Sequence, residues 1–199
     1  MQQIYTIGHS SQSIEAFIAQ LRRHNVEAVA DVRSRPYSGR FPHFSKEPIQ
    51  GSLKAAGIHY VFLGRELGAR REEPECYVEG VASYDRIAEL PAFTAGVERV
   101  LAGAQSYCLA LMCAEHDPLT CHRTILVCHE LKRHAVSIAH IGRNGALEDH
   151  QQAERRLVEE ELDSQAQTDL FAAAHGFALL VEQAYERRAS AIAYRRDQP

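Results

Sequence analysis

Short apolar runs alternate along the chain with stretches in which apolar residues recur every three or four positions. The runs are almost continuously apolar, as is typical of strands that are covered on both faces. They predict five strands, Gln3–Ile7, Glu27–Val32, Ile58–Leu63, Ser106–Cys113 and Val136–Ile141. The stretches between them have helical spacing. They predict helices at Ile14–Arg23, Lys46–Ala56, Tyr84–Gly103 and Cys121–His134.

The order of these elements indicates an α/β protein. Strand–helix alternation favours right-handed βαβ units, so we expect a Rossmann-like three-layer fold with a mostly parallel five-stranded sheet. Gly57 is expected to end the helix before the third strand. Beyond the Gly142–Gly145 turn, the pattern predicts helices at Gln151–Leu162 and Asp169–Tyr194. We expect one domain over residues 1–199, with a sheet-and-helix core at 1–145 and a C-terminal helical pair at 146–199 packed on it.

Composition indicates a globular cytoplasmic protein. The 199 residues are 45% hydrophobic, which is enough for one sizeable core. No apolar stretch is long enough to span a bilayer and no secretory signal pattern is present, so we expect no membrane partner. The chain has five cysteines, an odd number, and a disulfide framework is not expected in a reducing compartment.

Positive charge is concentrated in one part of an acidic chain. The net charge is −4, yet residues 31–71 carry eight Lys or Arg residues and three Asp or Glu residues. Such a segment favours a local anion site over a surface that coats nucleic acid. A solvated basic loop is the alternative.

Polar residues, often beside glycine, follow each predicted strand. Ligands of open parallel sheets bind at the carboxyl ends of the strands, so the site is predicted there. The candidate catalytic residues are His9, Asp31, Glu115 and Cys121. The candidate substrate- or anion-binding residues are Ser10, Arg33, Arg35, Arg40, His122, Arg123 and His140.

The most specific motif is Cys121-His122-Arg123. With Thr120 as the predicted helix cap, the motif falls in a first helical turn, where backbone N–H groups favour anions and lower the pKa of a thiol. Cys121 is therefore a candidate nucleophile and Arg123 a candidate anion clamp. Alternatively, Cys121 packs as a small apolar residue and Arg123 pairs with Glu115.

Asp31 and Arg33 alternate with Val32, so their side chains point the same way. Asp31 is a candidate general base, ribose-hydroxyl acceptor or metal ligand, and Arg33 can hold a phosphate or carboxylate through two hydrogen bonds. A structural Asp–Arg pair is the alternative. The loop that follows, through Arg35 and Arg40, also carries aromatic residues that could stack on bases or cover the edge of the core.

A metal or cofactor site is not the leading expectation. Two cysteines, two histidines and an aspartate could cluster (Cys113, Cys121, His122, His9 and Asp31). However, seven residues separate the two cysteines, against the roughly two to four of zinc hairpins. We therefore expect neither a metal nor a cofactor. Dinucleotide-binding, Walker-type and Gly-x-Ser-x-Gly motifs are absent from the sequence.

Several short motifs lie in a specific order along nearly the whole chain. The segments are Tyr5–Ser10, Asp31–Pro36, Ile58–Tyr60, Leu63–Gly64, Leu67–Gly68, Leu111–Glu115, Cys121–Arg123, His140–Ile141, Asp169–Phe171 and Ala184–Tyr185. In this order they resemble the domain of unknown function 488 family. The resemblance implies a Rossmann-like α/β fold, and no established activity comes with it.

Three functions remain open on this evidence. The leading hypothesis is a hydrolase or group transferase that acts on a phosphorylated or nucleotide-like substrate, because arginines supply an anion site and redox-cofactor motifs are missing. The second is a non-catalytic module that binds nucleotides or nucleic acid. The third is a thiol- or metal-based redox protein, which predicts a bound metal or a Cys113–Cys121 disulfide on mild oxidation. The last helix could also pack against a second subunit, which makes a homodimer a further candidate.

Overall fold

The computed structural model of the chain describes residues 2–162 and 174–196. The strands in these residues are β1 (Gln2–Gly8), β2 (Ala28–Asp31), β3 (His59–Phe62), β4 (Tyr77–Val78), β5 (Val81–Ala82), β6 (Leu109–Cys113), β7 (Val136–Ile141) and β8 (Leu147–Asp149). Six of them form one sheet in the order β3-β2-β6-β1-β7-β8, and β4 and β5 form a separate hairpin. All neighbours in the large sheet are parallel except β7 and β8.

The five predicted strands are confirmed, but the predicted number of strands in the sheet is wrong. The sixth strand, β8, has three residues, two of which are acidic, and pairs antiparallel with β7. The chain reverses between them with Gly145 at φ +74°. A strand this short and polar lacks the apolar run by which the others are predicted.

The helices occupy the predicted stretches, except for α3, which was not predicted. They are α1 (Ile14–Arg23), α2 (Lys46–Ala55), α3 (Gly64–Leu67), α4 (Tyr84–Ala88), α5 (Pro91–Ser106), a π-helix (Arg123–Cys128) that continues as α6 (His129–Leu131), α7 (His150–Glu161) and α8 (Ala174–Ile192). The predicted helix at Tyr84–Gly103 is two helices, because Pro91 cannot continue a helix and instead begins α5. As predicted, Gly57 terminates this stretch: α2 ends at Ala55, Ala56 is its C-cap, and Gly57 follows with φ +78°.

Helices cover both faces of the sheet. On one face α1 and α2 pack with alternate residues of the central strands. On the other face α5, the π-helix, α7 and α8 share a larger hydrophobic cluster with the sheet, to which the two last helices contribute Leu157 and Leu180. α7 and α8 therefore belong to the hydrophobic cluster on this face. The predicted helical residues from Asp169 to Ala173, and with them the Asp169–Phe171 motif, lie outside the described residues.

Every helix in residues 2–162 and 174–196 is too short or too polar to cross a membrane. Because β1, β2 and β6 are adjacent and parallel, their carboxyl ends meet at one edge of the sheet. Gly8 lies in register with Cys113, and Asp31 with Met112. This register brings the segments that follow the three strands together.

Candidate functional site

A cavity of about 480 Å³ opens at the carboxyl edge of the sheet. Its lining comes from segments that follow β1, β2 and β6 and from residues after α3, in α4 and at the end of α8. Six of the eleven predicted site residues line it, namely His9, Arg33, Arg35, Glu115, Cys121 and His122. The predicted location of the site therefore coincides with a cavity.

Cys121 is the N-cap of the helical segment. Its backbone is extended (φ −135°, ψ 137°), its carbonyl accepts the N–H of Ile125 at 3.1 Å, and its Sγ accepts the N–H of Arg123 at 3.4 Å. The prediction that Thr120 caps this helix is wrong, because Thr120 ends a separate 3₁₀ turn that is capped by Asp117. The segment continues as a π-helix, a form frequent at functional sites.

The surroundings of Cys121 favour its thiolate. Burial alone would raise the pKa of this thiol. The neighbouring Cys113 thiol, the positive charge of Arg123 and the His122 ring outweigh burial and hold the pKa of Cys121 well below its ordinary value. A thiolate at a helix N-terminus is the nucleophilic form of cysteine.

Three further groups surround this sulfur, and together with Cys121 we call them the thiol cluster (Cys113, Glu115, Cys121 and His122). The Cys113 Sγ lies 3.3 Å from Glu115 Oε2 and 3.7 Å from His122 Nδ1. His122 is oriented by its Nε2–H, which donates to the Val32 carbonyl at 2.9 Å. This bond turns Nδ1 towards the two sulfurs.

The members of the cluster shift one another's pKa values. The hydrogen bond to Cys121 and burial raise the pKa of Cys113. Burial lowers the pKa of His122, but the adjacent Cys121 thiolate raises it by more. Loss of solvent and the same thiolate raise the pKa of Glu115, whose carboxyl group faces the cavity although the residue as a whole is exposed. The arrangement thus pairs a thiolate with nearby proton donors.

Asp31 is satisfied within a structural pair. It is fully buried; its Oδ1 accepts Arg33 Nε–H at 2.9 Å and its Oδ2 accepts Arg33 Nη2–H at 2.7 Å. The Tyr60 hydroxyl donates to Oδ2 at 2.8 Å. Asp31 does not line the cavity, so the structural pair is the arrangement that the structure shows.

His9 forms part of the cavity wall in its neutral form. Burial and the charge of Arg33 lower its pKa to about 4, although the bond to the Ser10 carbonyl opposes them. Nδ1–H donates to that carbonyl at 3.0 Å, which leaves Nε2 to accept from Arg33 Nη1 at 3.2 Å. The ring stacks on Phe44, with 4.3 Å between centroids. Ser10 itself does not line the cavity and takes φ +47°.

Arg123 points away from the cavity and is buried. Nη1 donates to the Glu115 carbonyl at 2.6 Å, and Nη2 to the His116 carbonyl at 3.0 Å. Gly8 lets the same loop pack closely, since a Cβ there would lie 1.8 Å from the Glu115 carbonyl oxygen. Arg123 therefore positions the loop that carries Glu115. It does so by donating to backbone carbonyls of the loop and not to the Glu115 carboxylate.

His140 belongs to a separate polar group, which we call the histidine cluster (Thr6, His140, His150, Glu154 and Tyr185). The His140 ring contacts Thr6 Oγ1 at 2.8 Å and His150 Nδ1 at 3.0 Å. The chain continues from His150 Nε2 to the Tyr185 hydroxyl at 3.2 Å, and from there to Glu154 at 3.2 Å. None of its members lines the carboxyl-edge cavity.

The rim of the cavity is basic and aromatic. The exposed Arg35 and Arg70 line it together with Tyr37, which is 78% exposed. The Arg70 guanidinium lies 4.8 Å from the Tyr194 ring centroid. Arg40 is also exposed but stacks over Phe41 at 5.6 Å and is not part of the lining.

Sequence reasoning missed several residues of this site, among them Arg70, Tyr84 and Tyr194. These three reach the cavity from the loop after α3, from α4 and from the segment after α8, at a distance from the ends of the predicted strands. The sequence presents Cys113 only as a metal ligand or as the disulfide partner of Cys121. Its place at the end of β6, beside Gly8 of β1, was the signal available.

Comparisons with known proteins give a family. No curated protein and no solved structure matches the chain. A family model described as a domain of unknown function, DUF488, matches residues 13–129, which include the whole thiol cluster and Arg35. The match confirms the resemblance for the motifs within these residues, whereas Tyr5–Ser10, His140–Ile141, Asp169–Phe171 and Ala184–Tyr185 lie outside it. The chain belongs to the DUF488 family.

Proposed function

We propose that this chain is an enzyme, a hydrolase or a group transferase, that acts on a phosphorylated or nucleotide-like substrate in the carboxyl-edge cavity. One observation carries the proposal. The Cys121 sulfur lies at a helix N-cap in the lining of a cavity whose rim bears Arg35 and Arg70. A nucleophile and cations that line one cavity suit a substrate with an anionic group beside its reactive centre.

In the proposed reaction the Cys121 thiolate attacks the electrophilic centre of the substrate and displaces a leaving group. Glu115 supplies the proton to that group, because its raised pKa keeps a fraction of the carboxyl protonated. Water or an acceptor then attacks the covalent intermediate and releases Cys121, with Glu115 taking the proton back. The N–H of Arg123 and the His122 ring stabilise the thiolate at the start and the end of the cycle.

Several features support a phosphorylated or nucleotide-like substrate. A volume of about 480 Å³ lies within the range of small-ligand sites. Arg35 and Arg70 can bind phosphate oxygens, and the exposed Tyr37 ring offers a surface on which a base can stack. We also propose that the fold is Rossmann-like in the broad sense, since the cavity lies at the carboxyl ends of parallel strands that are covered on both faces.

We further propose a cytoplasmic location. All five cysteines are free, although two of their sulfurs lie within 4.8 Å of each other. Free thiols this close persist in a reducing compartment.

The first test is the reactivity of Cys121. We expect iodoacetamide at pH 7 to modify Cys121 about tenfold faster than Cys108, because an ordinary thiol is only a few per cent ionised at this pH. Peptide mass spectrometry over time gives both rates from one sample. Equal rates at the two cysteines would contradict an activated thiolate.

The second test identifies the ligand class with a thermal-shift panel of nucleotides, sugar phosphates and short oligonucleotides. A ligand at about 100 times its dissociation constant adds about 2.7 kcal/mol, or roughly 5–10 °C for a chain of this length. Arg70→Ala should remove the shift, whereas Lys54→Ala, an exposed residue of α2 outside the cavity, should retain it. A shift with no turnover of the same compound would favour a non-catalytic binding module.

A thiol- or metal-based protein is the second candidate, and one observation favours it. The sulfurs of Cys113 and Cys121 and a ring nitrogen of His122 lie within 4.8 Å of one another. A histidine whose other N–H donates to a backbone carbonyl, as His122 does, is common among metal ligands. Metal analysis of protein purified without chelator decides the matter, because a zinc site would give one equivalent that Cys113→Ser abolishes.

A further inference from the structure

We propose that Cys121 and Cys113 form a peroxide-reducing dithiol pair, in which hydrogen peroxide or an organic hydroperoxide oxidises Cys121 and Cys113 resolves the product as a disulfide. The inference rests on the proposed function only in that it uses the same reactive sulfur. It adds a second activity to the cavity, and a modification that switches the first activity off.

The geometry supports the pairing. The two sulfurs lie within 4.8 Å of each other, at the end of β6 and at the N-cap of the following helical segment. Both residues are buried, with Cys113 3% and Cys121 2% exposed, but unlike the other buried cysteines they line the cavity, from which we expect a molecule as small as a peroxide to reach them. Only seven residues separate them, in a loop that Arg123 holds through the Glu115 and His116 carbonyls.

In the first step the Cys121 thiolate attacks one peroxide oxygen. The sulfur–oxygen bond forms as the oxygen–oxygen bond breaks, which leaves a sulfenic acid on Cys121 and releases hydroxide, or an alkoxide from an organic hydroperoxide. The His122 ring, whose Nδ1 faces the sulfurs, supplies the proton to the leaving oxygen. The thiolate loses two electrons to the peroxide, as in the first stage of cysteine oxidation.

In the second step Cys113 attacks the oxidised sulfur. Glu115 Oε2, at 3.3 Å from Cys113 Sγ, takes the thiol proton. The new sulfur–sulfur bond displaces hydroxide, which takes up a proton and leaves as water. Overall, two thiols and one peroxide give a disulfide, one water and the corresponding alcohol or second water. An external dithiol restores both thiols by exchange.

The other cysteines do not compete for Cys121. Cys128 is fully buried and burial raises its pKa. Cys108 lies just before the opposite end of β6, and its Sγ donates to the His24 carbonyl at 3.4 Å. Cys76 is buried after α3 and does not line the cavity. Cys113 is therefore the partner that the structure offers.

The experiment oxidises the full-length protein, first reduced and freed of metal by chelation, with stoichiometric hydrogen peroxide. Free thiols are then blocked, and the protein is cleaved after Glu115, which places Cys113 and Cys121 on separate peptides. We expect one disulfide between these peptides, reversed by dithiothreitol, and oxidation of Cys121 about tenfold faster than that of Cys108. Cys108→Ser is the matched control, since it removes the other thiol of the Cys113 peptide and should leave the disulfide unchanged.

A second variant separates attack from resolution. In Cys113→Ser with excess hydrogen peroxide we expect Cys121 to be oxidised no faster than in the wild type, because the Cys113 thiol that helps to lower its pKa is gone. Without its resolving partner, Cys121 should proceed to sulfinic and sulfonic acids that dithiothreitol does not reverse. The inference is overturned if the wild type shows irreversible oxidation of Cys121, a disulfide to another cysteine, or no oxidation at all. Rapid alkylation of Cys121 without disulfide formation would sink this inference alone, whereas slow alkylation would count against the proposed function as well.

Discussion

The thiol cluster and the histidine cluster are both hydrogen-bonded internally and differ in whether they line the cavity. Both ring nitrogens of His140 have partners within the protein, as do both ring nitrogens of His150, and no member of their cluster lines the cavity. In the thiol cluster both ring nitrogens of His122 and both sulfurs also have partners, but all four residues line the cavity. A closed cluster stabilises the fold, whereas an open cluster retains groups that can react.

The same distinction divides the arginines. Arg123 is buried, and its guanidinium donates hydrogen bonds to two backbone carbonyls. Arg33 donates three N–H groups, one of them from its backbone, to the Asp31 carboxylate. Arg35 and Arg70 lie exposed on the cavity rim. We therefore expect substitutions of the closed group to change stability and substitutions of the open group to change binding and reactivity.

The largest effect is expected for Arg123→Ala. This change leaves two backbone carbonyls of a tightly packed loop without their charged donor, so we expect a loss of about 3–5 kcal/mol in the free energy of unfolding. Urea denaturation followed by circular dichroism measures it. Arg35→Ala is the control and should change stability by less than about 0.5 kcal/mol. A stable Arg123→Ala variant that fails to bind phosphorylated ligands would instead restore the anion-clamp hypothesis.

The sequence predicts where the site lies better than it predicts which residues are available in it. The five parallel strands are long apolar runs, and their order places His9, Arg33 and Glu115 at one edge, as predicted. Whether Arg123 is available depends on the backbone carbonyls of the loop to which it donates, and a sequence pattern does not show in which direction those carbonyls point. For the same reason the sequence presents Asp31 as a candidate base, whereas in the structure its carboxylate oxygens accept hydrogen bonds from Tyr60 and Arg33.

The start of the helical segment shows a second limit. Thr120 is an ordinary capping residue, but Asp117-Pro118 forms a 3₁₀ turn of its own and moves the cap to Cys121. Cysteine is not among the residues that favour this position. Its position at the N-cap therefore needs another reason, and the proposed nucleophilic role of Cys121 supplies one.

A smaller effect is expected from acid on the histidine cluster. Burial, together with nearby cations such as Arg123 and Arg156 for His140, lowers the pKa of His140 and of His150 below 6.5. Below pH 6.5 the unfolded chain binds protons that the folded chain excludes, so stability falls as the pH decreases towards the folded pKa values. The slope is about 1.4 kcal/mol per pH unit for each histidine.

Urea denaturation between pH 7 and pH 5 measures this slope. His140→Gln should reduce the slope of stability against pH by the contribution of one histidine. His134→Gln, which replaces an exposed histidine, should leave the slope unchanged. The charges that face His150 are Glu154, Lys132 and Asp149, and the two carboxylates partly offset the effect of burial. Stability that stays constant over this range would show that the cluster accepts a proton without strain, and that it is not closed in the sense used here.

The smallest effect is expected for Tyr60→Phe, and it tests where the boundary between closed and open groups lies. The change removes one hydrogen bond to Asp31 and leaves the Asp31–Arg33 pair in place, so we expect a loss of about 1 kcal/mol in stability. Arg33 also contacts His9 in the cavity wall, at 3.2 Å. If the pair is purely structural, the alkylation rate of Cys121 should change by less than about twofold. A larger change would mean that Asp31 acts on the cavity through Arg33 and His9, and the pair would then belong with the reactive groups.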